Sequence, residues 1–396
     1  MIERPEYIEK LLKFKDKQLI KIVTGVRRCG KSTLFELYQA ELLKTRVLPN
    51  QIININMEDP VYDELSDWRK LYDYINSRLL ANKQNYIFID EVQNVTGFEK
   101  AADGLFIKKN ADLYLTGSNS KVQSGEWATL LSGRYVEIHM LPLSFKEYHT
   151  AAFTGNIEDT YRNYLENSSF PYALQLNNEK KLIRDYLDGI YNTIVLKDVV
   201  ENKNIRDIGR LERVIRFMAD NIGNLTSIKK ISDAMTSAGI KILPLTIENY
   251  IDALCGSYIL YKIGRYDVKG KKILQTLDKY YLVDIGIRYY LLGDRKADRG
   301  HMLENIVFLE LLRRGLSVHI GKVNDNEVDF VVEGIGSIEY YQVADTVAEE
   351  AALKRELAPL QKIKDHNPKF LLTRDFFPIE SHNGIKQINV FDWLLR

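Results

Sequence analysis

The chain lacks the features that mark secreted and membrane-spanning proteins. Only two of its 396 residues are cysteines, Cys29 and Cys255. Because they fall in separate segments, they suggest neither a disulfide framework nor a structural zinc site. No apolar run approaches the length of a membrane span, and the charged first residues have no apolar signal core. We therefore expect a cytoplasmic protein without membrane contact.

An excess of charge of one sign is also absent. The chain has 55 Lys and Arg residues against 54 Asp and Glu residues, a net charge of +1. No global basic field attracts nucleic acid, so any such contact needs a local patch. Repeats, low-complexity tracts and long Gly/Ser/Pro linkers are missing too. A chain of this length exceeds one ordinary core, so we expect roughly two to four closely packed domains.

Residues 25–32 are the most informative stretch that is present. They match the phosphate-loop (Walker A) pattern G-x-x-x-x-G-K-[ST] at every fixed position. A short apolar strand precedes them and a helix follows, which favours a phosphate loop over a glycine-rich turn. Lys31 would reach the β- and γ-phosphates, and Ser32 would ligate Mg²⁺. We predict an ATP–Mg²⁺ site with contacts from Gly25, Arg27, Arg28, Cys29, Gly30, Lys31, Ser32 and Thr33.

A second motif lies about sixty residues further on, where the apolar run 86–91 ends in Asp90 and Glu91. Such a run predicts a strand buried on both faces of a parallel sheet, with its carboxyl end at the ligand edge. We predict that Asp90 holds the Mg²⁺ hydration shell. Glu91 would orient and deprotonate the attacking water. Alone, this motif would be read as a strand ending in solvated acids, and the upstream loop favours the catalytic interpretation.

Two further catalytic positions are predicted downstream. The strand 111–116 is followed by Ser118 and Asn119, either of which could contact the γ-phosphate or the water, or cap the next helix. The sequence does not choose between them. Arg134 could act as an arginine finger, within its own subunit or from a neighbouring one. A surface ion pair is the alternative for this arginine.

These motifs resemble those of a widespread bacterial and archaeal family of AAA-type ATPases that carry a C-terminal domain of unknown function. The similarity covers nearly the whole chain and rests on residues 24–33, 87–93, 115–118 and 133–148. It implies ATP hydrolysis and an α/β fold class. The implied architecture is a P-loop NTPase parallel sheet with an inserted middle strand, a helical lid, a winged helix and a C-terminal PD-(D/E)xK-like domain. One departure is Ser168-Ser169-Phe170-Pro171, where relatives commonly have Gly-Gly-x-Pro.

Changes in the sequence pattern set the predicted domain boundaries. We predict a P-loop ATPase core over 1–148, a helical lid over 149–204, a winged helix over 205–280 and a nuclease-like domain over 281–396. In the winged helix, the third helix carries carboxylates and no Lys or Arg, which opposes base readout. The hairpin is basic and could hold a DNA backbone without sequence preference, or simply be solvated. Its basic residues are Lys262, Arg265, Lys269, Lys271 and Lys272.

The last domain resembles PD-(D/E)xK nucleases in the order of its elements. A predicted helix carries Glu304 and the next strand carries Asp329. The following strand has Gln342 where the nucleases have an acid and Ala344 where they have a lysine. Gln is a weak ligand for Mg²⁺, and Ala cannot stabilise developing charge. We therefore predict a fold retained for binding or assembly, without DNA cleavage.

Three function classes follow from these motifs. The first is an ATPase whose turnover drives a conformational change acting on a protein or DNA partner. The second is a slow ATP/ADP switch that gates a protein interaction surface. The third, a DNA-directed nuclease, is opposed by Gln342 and Ala344. The sequence leaves the protein partner and the oligomeric state open.

Overall fold

A computed structural model gives the fold of residues 1–117, 131, 133–152, 155–201, 205, 207–294, 298–334, 336–376 and 380–396. The chain divides into two compact units. The first is Met1–Pro142 with Gly256–Tyr258, and the second is Leu143–Cys255 with Ile259–Arg396. Within the ranges given above, no helix combines the length and apolar character needed to cross a membrane.

The first unit is built on a five-stranded parallel sheet. Its strands are β1 (Ile20–Thr24), β2 (Ile52–Asn56), β3 (Asn85–Asp90), β4 (Ala111–Gly117) and β5 (Tyr135–His139). Its helices are α1 (Pro5–Lys13), α2 (Lys31–Lys44), α3 (Trp68–Asn76) and α4 (Phe98–Phe106). The strand order is β2-β3-β4-β1-β5, with every neighbouring pair parallel. Because β4 lies between β1 and β3, the predicted P-loop NTPase sheet with an inserted middle strand is confirmed.

Both faces of this sheet are covered, because alternate side chains of a strand point to opposite sides. On β3, Ile87 and Ile89 belong to a core cluster that includes residues of α3 and α4. Phe88, between them, stacks on Tyr114 of β4 with ring centroids 4.8 Å apart. Phe88 also meets Phe35 of α2 at 5.1 Å. All of β3 is buried, as expected for a parallel strand with helices on both sides.

The second unit begins with helices. They are α5 (Phe145–Ala152), α6 (Ile157–Asn167), α7 (Lys180–Thr193), a π-helix (Ile194–Glu201), α8 (Ile208–Asp220), α9 (Ile228–Ser237) and α10 (Pro244–Gly256). Later helices are α11 (Ile285–Leu292), α12 (Arg299–Arg313), α13 (Glu350–Gln361) and α14 (Val390–Leu394).

An eight-stranded mixed sheet completes the second unit. Its strands are β6 (Leu260–Asp267), β7 (Lys272–Leu282), β8 (Ser317–Val323), β9 (Asn326–Gly334), β10 (Ser337–Ala344), β11 (Lys369–Thr373), β12 (Glu380–His382) and β13 (Ile385–Asn389). The spatial order is β12-β13-β11-β10-β9-β8-β6-β7. The helix predicted around Glu304 is α12, and the strands predicted around Asp329 and Gln342 are β9 and β10.

The hairpin β6–β7 is part of this larger sheet. It follows α8, α9 and α10, the predicted order of three helices and a hairpin. β6 then pairs in parallel with β8, which places Arg265 opposite Ile320 and Asp267 opposite Lys322. The hairpin therefore forms one edge of the eight-stranded sheet, and the boundary predicted at residue 280 falls inside β7.

Candidate nucleotide-binding site

The loop between β1 and α2 has a backbone that only glycine allows at its first position. Gly25 has φ +144, and a Cβ there would lie 2.1 Å from the carbonyl oxygen of Met140. Gly30 has φ 105 and is the N-cap of α2, where no side chain caps the helix. The first amides of α2 are thus available to an anion, and the helix dipole favours one.

Arg4, which the sequence analysis missed, holds this loop in place. Its buried guanidinium donates to the carbonyl oxygen of Cys29 at 3.2 Å and to that of Leu141 at 2.7 Å. Cys29 is fully buried, and burial raises the pKa of its thiol. The thiol therefore stays protonated, and any contact of Cys29 with phosphate would come from its backbone.

Lys31 is the first residue of α2, and it is buried with its ammonium turned back over the loop. Its Nζ atom donates to the carbonyl oxygens of Gly25 and Val26, at 3.2 and 3.4 Å. It lies 3.9 Å from Glu91 Oε1. A lysine held mainly by neutral carbonyls can give its charge to a phosphate oxygen.

Asp90 and Ser32 meet at the carboxyl edge of the sheet. The Ser32 hydroxyl and the Thr116 hydroxyl both hydrogen-bond to the Asp90 carboxylate. Burial raises the pKa of Asp90, the Ser32 and Thr116 hydrogen bonds lower it, and the net direction is upward. A hydroxyl and a carboxylate are hard oxygen ligands of the kind that Mg²⁺ accepts beside phosphate oxygens.

Ser32 and Asp90 would supply only part of the ligand shell of a bound Mg²⁺. Across the residues with described side chains, no group of three His, Cys, Asp or Glu residues could hold a metal ion. This fits Mg²⁺ that is shared with a nucleotide, because such a site uses one or two protein oxygens and completes its shell with phosphate and water.

Glu91 follows Asp90 in a left-handed backbone conformation, φ 52. Its backbone N–H donates to the Thr116 hydroxyl at 2.9 Å, so Thr116 serves both acidic residues. The Glu91 carboxylate is buried and accepts a hydrogen bond from the Gln93 amide. The sequence pattern pointed to the two residues after Gly117 and overlooked Thr116, the last side chain of β4 before that glycine.

The remaining predicted contacts lie along the loop and the start of α2. Arg27 pairs with Glu58 at 3.1 Å. Arg28 is exposed with φ 68, and Thr33 is partly buried within α2. The predicted positions Ser118 and Asn119 lie outside the described residues.

Arg134 is not brought to the phosphate loop of its own chain. Its carbonyl accepts from Ile20 N at 2.9 Å, which puts it beside the amino end of β1. The loop follows the carboxyl end of that strand, ~13 Å further along. Its guanidinium pairs with Asp103 at 3.2 Å. A finger role on its own nucleotide is therefore corrected to a surface ion pair, and only action on a neighbouring copy stays a prediction.

A second cluster of acids and a lysine lies in the second unit. Lys279 of β7 is buried, with Nζ 2.8 Å from Glu304 Oε1 and 2.6 Å from Glu327 Oε1. The Asp329 carboxylate accepts from Val343 N at 2.8 Å. Lys279 and Glu327 were not predicted as members of this cluster. Lys279 lies on β7, about fifty residues before Asp329, whereas Glu327 lies on the same strand as Asp329 and was overlooked.

The charges of this cluster oppose one another. Burial alone would lower the pKa of Lys279, but the carboxylates of Glu304, Asp329 and Glu327 raise it above its ordinary value. Burial, and then the Glu304 carboxylate, raises the pKa of Asp329 well above its usual range. The Gln342 amide donates to Glu356 at 2.9 Å. The Lys279 ammonium thus forms ion pairs with carboxylates that a bound metal cation would need as ligands.

The basic hairpin residues are divided between two environments. Lys262 pairs with Asp278 at 3.1 Å, and Arg265 lies partly buried within the sheet. Three exposed lysines remain at the turn, Lys269, Lys271 and Lys272. Of the five basic residues in the predicted patch, these three are therefore the ones that a ligand could reach at the turn.

Comparison with known proteins finds family profiles that match two segments of the chain. A family profile described as an AAA domain matches residues 17–149, and one described as a domain of unknown function (DUF8612) matches residues 158–298. An uncharacterized protein of Haemophilus influenzae is 38% identical over 401 residues, covering 100% of this chain and 99% of that protein. The uncharacterized protein MJ1544 of Methanocaldococcus jannaschii is 30% identical, covering 87% of this chain and 79% of that protein.

A solved structure shares the fold. The Walker-type ATPase PABY2304 of Pyrococcus abyssi superposes with a TM-score of 0.50 at 15% identity, covering 74% of this chain and 96% of that chain.

Proposed function

The chain belongs to the same family as these uncharacterized relatives and carries an AAA domain, and from this premise we propose that it binds ATP with Mg²⁺ and hydrolyses it. One observation carries the proposal. Lys31, Ser32, Asp90 and Glu91 come from two separate motifs and converge at one sheet edge, joined by hydrogen bonds and short charge distances.

The residues present fit the nucleotide phosphates and Mg²⁺. The loop backbone approaches so closely at Gly25 that a Cβ has no room there, and the N-terminus of α2 is uncapped. Backbone amides and the Lys31 ammonium would bind the phosphates, while Ser32 and Asp90 would hold the cation. Bound Mg²⁺ would neutralise phosphate charge that the protein alone leaves unbalanced.

Glu91 is the residue assigned to the water. Its carboxylate lies one residue beyond Asp90 and 3.9 Å from Lys31 Nζ, close to where the γ-phosphate would be bound. As a general base, it would accept a proton from the attacking water as the water oxygen bonds to phosphorus. Its fixed backbone at φ 52 keeps the carboxylate turned toward this edge.

We further propose what ATP hydrolysis is used for. ATP turnover would drive a conformational change that acts on a partner. DNA is the partner favoured by a specific observation, the three exposed lysines at the tip of the hairpin β6–β7. Their contacts would be with phosphates only, so affinity should be insensitive to base sequence. ATPase rates measured with and without DNA separate this proposal from a slow ATP/ADP switch.

The second acidic cluster has no nuclease role in this proposal, because Lys279 is bonded to the acids and Gln342 and Ala344 supply neither an acid nor a lysine. Mn²⁺-dependent DNA nicking that disappears in Asp329→Ala would overturn this part.

Substitution of Lys31 tests nucleotide binding directly. Lys31→Ala should weaken ATP affinity, because it removes a charge-assisted contact to phosphate. Lys44→Ala is the matched control, since Lys44 is exposed at the other end of the same helix, where it pairs with Glu41. ATP affinity can be measured by calorimetry with the full chain. Equal affinity for all three proteins would contradict the proposed site.

A further inference from the structure

Gln93 lies beside the predicted general base Glu91 in the candidate nucleotide site. It lies in the 3-10 turn Val92–Asn94 that follows Glu91. Its amide donates to Glu91 Oε2. Its own Oε1 atom is buried and has no hydrogen-bond partner in the part of the chain that the structure describes. An unsatisfied buried oxygen is destabilising, so this atom needs a hydrogen-bond donor.

The orientation of the amide is fixed by its neighbour. If the amide were reversed, its oxygen would face the Glu91 carboxylate, and two acceptors would meet without a proton between them. The N–H group must therefore face Glu91, and the oxygen is left for a third partner.

The Gln93 side chain is not required to hold the turn. The backbone N–H of Glu91 is held by Thr116 at 2.9 Å. The turn has its own backbone bonds, from Asn94 N to Glu91 O at 3.1 Å and from Val95 N to Val92 O at 3.0 Å. A structural role does not account for a buried amide that touches the predicted general base.

We propose that Gln93 positions the attacking water together with Glu91, an inference that rests on the ATPase function proposed above. The water oxygen bonds to the γ-phosphorus as the bond from phosphorus to the β,γ-bridging oxygen breaks, and its electron pair stays with ADP. One water proton passes to Glu91. Gln93 Oε1 accepts a hydrogen bond from the proton that remains, and the Gln93–Glu91 bond fixes the two acceptors relative to each other.

Two variants separate the two halves of this role. Gln93→Leu is similar in size and removes both the donor and the acceptor, whereas Gln93→Glu keeps the acceptor and replaces the donor by a second carboxylate. Asn94→Ala is the matched control, because Asn94 is an exposed amide in the same turn. The measurements are kcat, KM for ATP, and affinity for a non-hydrolysable ATP analogue, all with the full chain.

Gln93→Leu should lower kcat by about 10²-fold, the effect of misplacing a reacting group, with analogue affinity within about twofold of wild type. Gln93→Glu should also be slow at neutral pH, because two adjacent carboxylates repel. Its kcat relative to wild type should rise as the pH falls, since a shared proton restores a donor between the two groups. A merely structural residue would give a ratio that does not change with pH.

Wild-type kcat in Gln93→Leu, or a loss of analogue affinity as large as the loss of kcat, would overturn the inference. If Gln93→Leu does not fold, Gln93→Glu decides by its pH-dependent ratio. Failure of the proposed function is recognised separately, because wild type would then bind ATP without hydrolysing it.

Discussion

Two buried lysines, Lys31 and Lys279, lie close to carboxylates in different parts of the chain, and they differ in the groups that they contact. In the first unit, Lys31 Nζ lies 3.2 and 3.4 Å from two loop carbonyls and 3.9 Å from Glu91. In the second unit, Lys279 Nζ lies 2.8 Å from Glu304 and 2.6 Å from Glu327. The first lysine is held mainly by neutral carbonyls and keeps charge for a ligand, whereas the second is already neutralised by its partners.

The local backbone explains this difference. The first lysine follows a glycine loop at an uncapped helix N-terminus, where amides and the ammonium surround one open edge of a sheet. The second comes from the middle of β7, with acids from α12 and β9 around it. A lysine and acids in one cluster therefore do not by themselves make a ligand site, because the ion pairs within the cluster decide whether charge remains for a ligand.

The largest effect is expected at the first site. Glu91→Gln should lower the ATP hydrolysis rate by ~10²–10⁴-fold, the range for loss of a general base. ATP should remain bound, because Lys31, Ser32 and Asp90 are unchanged. Glu64→Gln, at an exposed position of the same unit, is the control and should match wild type. Loss of ATP affinity along with the rate would instead give Glu91 a structural role.

The second site should respond in stability. Lys279→Met should lower the free energy of unfolding by about 3–5 kcal/mol, because it leaves buried carboxylates without a cationic partner. Lys262→Met breaks an exposed pair with Asp278 in the same hairpin and should cost at most ~1 kcal/mol. Chemical unfolding of the full chain measures both. Similar losses of unfolding free energy for the two variants would mean that the buried lysine contributes no more to stability than the surface lysine does.

A smaller effect concerns the exposed lysines of the hairpin tip, which unlike Lys279 keep their charge for a ligand. If DNA binds there, replacing Lys269, Lys271 and Lys272 by Ala should weaken binding equally for all base sequences. The slope of log affinity against log salt should fall by up to ~0.9 for each DNA phosphate that is no longer neutralised. Lys354→Ala, which removes an exposed lysine of α13, is the control. An unchanged slope would rule out the tip as the DNA-binding surface.

A pH-dependent effect is expected at His139, at the end of β5 and beside the last residue of β1. Burial lowers the pKa of His139 to about 4 from 6.5, and Thr24 Oγ1 lies 3.2 Å from its Nδ1. Its contribution to stability is present above pH 6.5 and is lost as the pH falls toward about 4, since the unfolded chain gains the proton first. His139→Gln should make the melting temperature depend less on pH between about 4 and 6.5. A pH dependence equal to that of wild type would contradict this assignment.

The local motifs were predictable from the sequence, because each is encoded in a few neighbouring residues. The phosphate loop and the Asp90–Glu91 strand end require only a strand, a turn and a helix in order. Their meeting at one edge follows from the rule that parallel strands end on the same side. Arg134 shows the limit of this reasoning, because it precedes its strand and thus lies at the opposite edge.

Other contacts depended on pairings between distant residues. Arg4 reaches Leu141, and Thr116 reaches Asp90. No pattern of spacing relates these residues, so no sequence signal could have joined them. The parallel pairing of β6 with β8 likewise joins segments about fifty residues apart. In the same sheet, Lys279 of β7 lies beside Glu304 and Glu327.

The central claim is that the first of the two sites is an ATPase centre, and the release of phosphate from Mg²⁺–ATP by the full chain tests it most directly. The measurement compares wild type, Glu91→Gln and Lys279→Met at saturating ATP. The structure predicts turnover by wild type, stalled turnover with ATP still bound in Glu91→Gln, and turnover retained by folded Lys279→Met. A wild-type chain that binds Mg²⁺–ATP without releasing phosphate, or equal rates in wild type and Glu91→Gln, would contradict the claim.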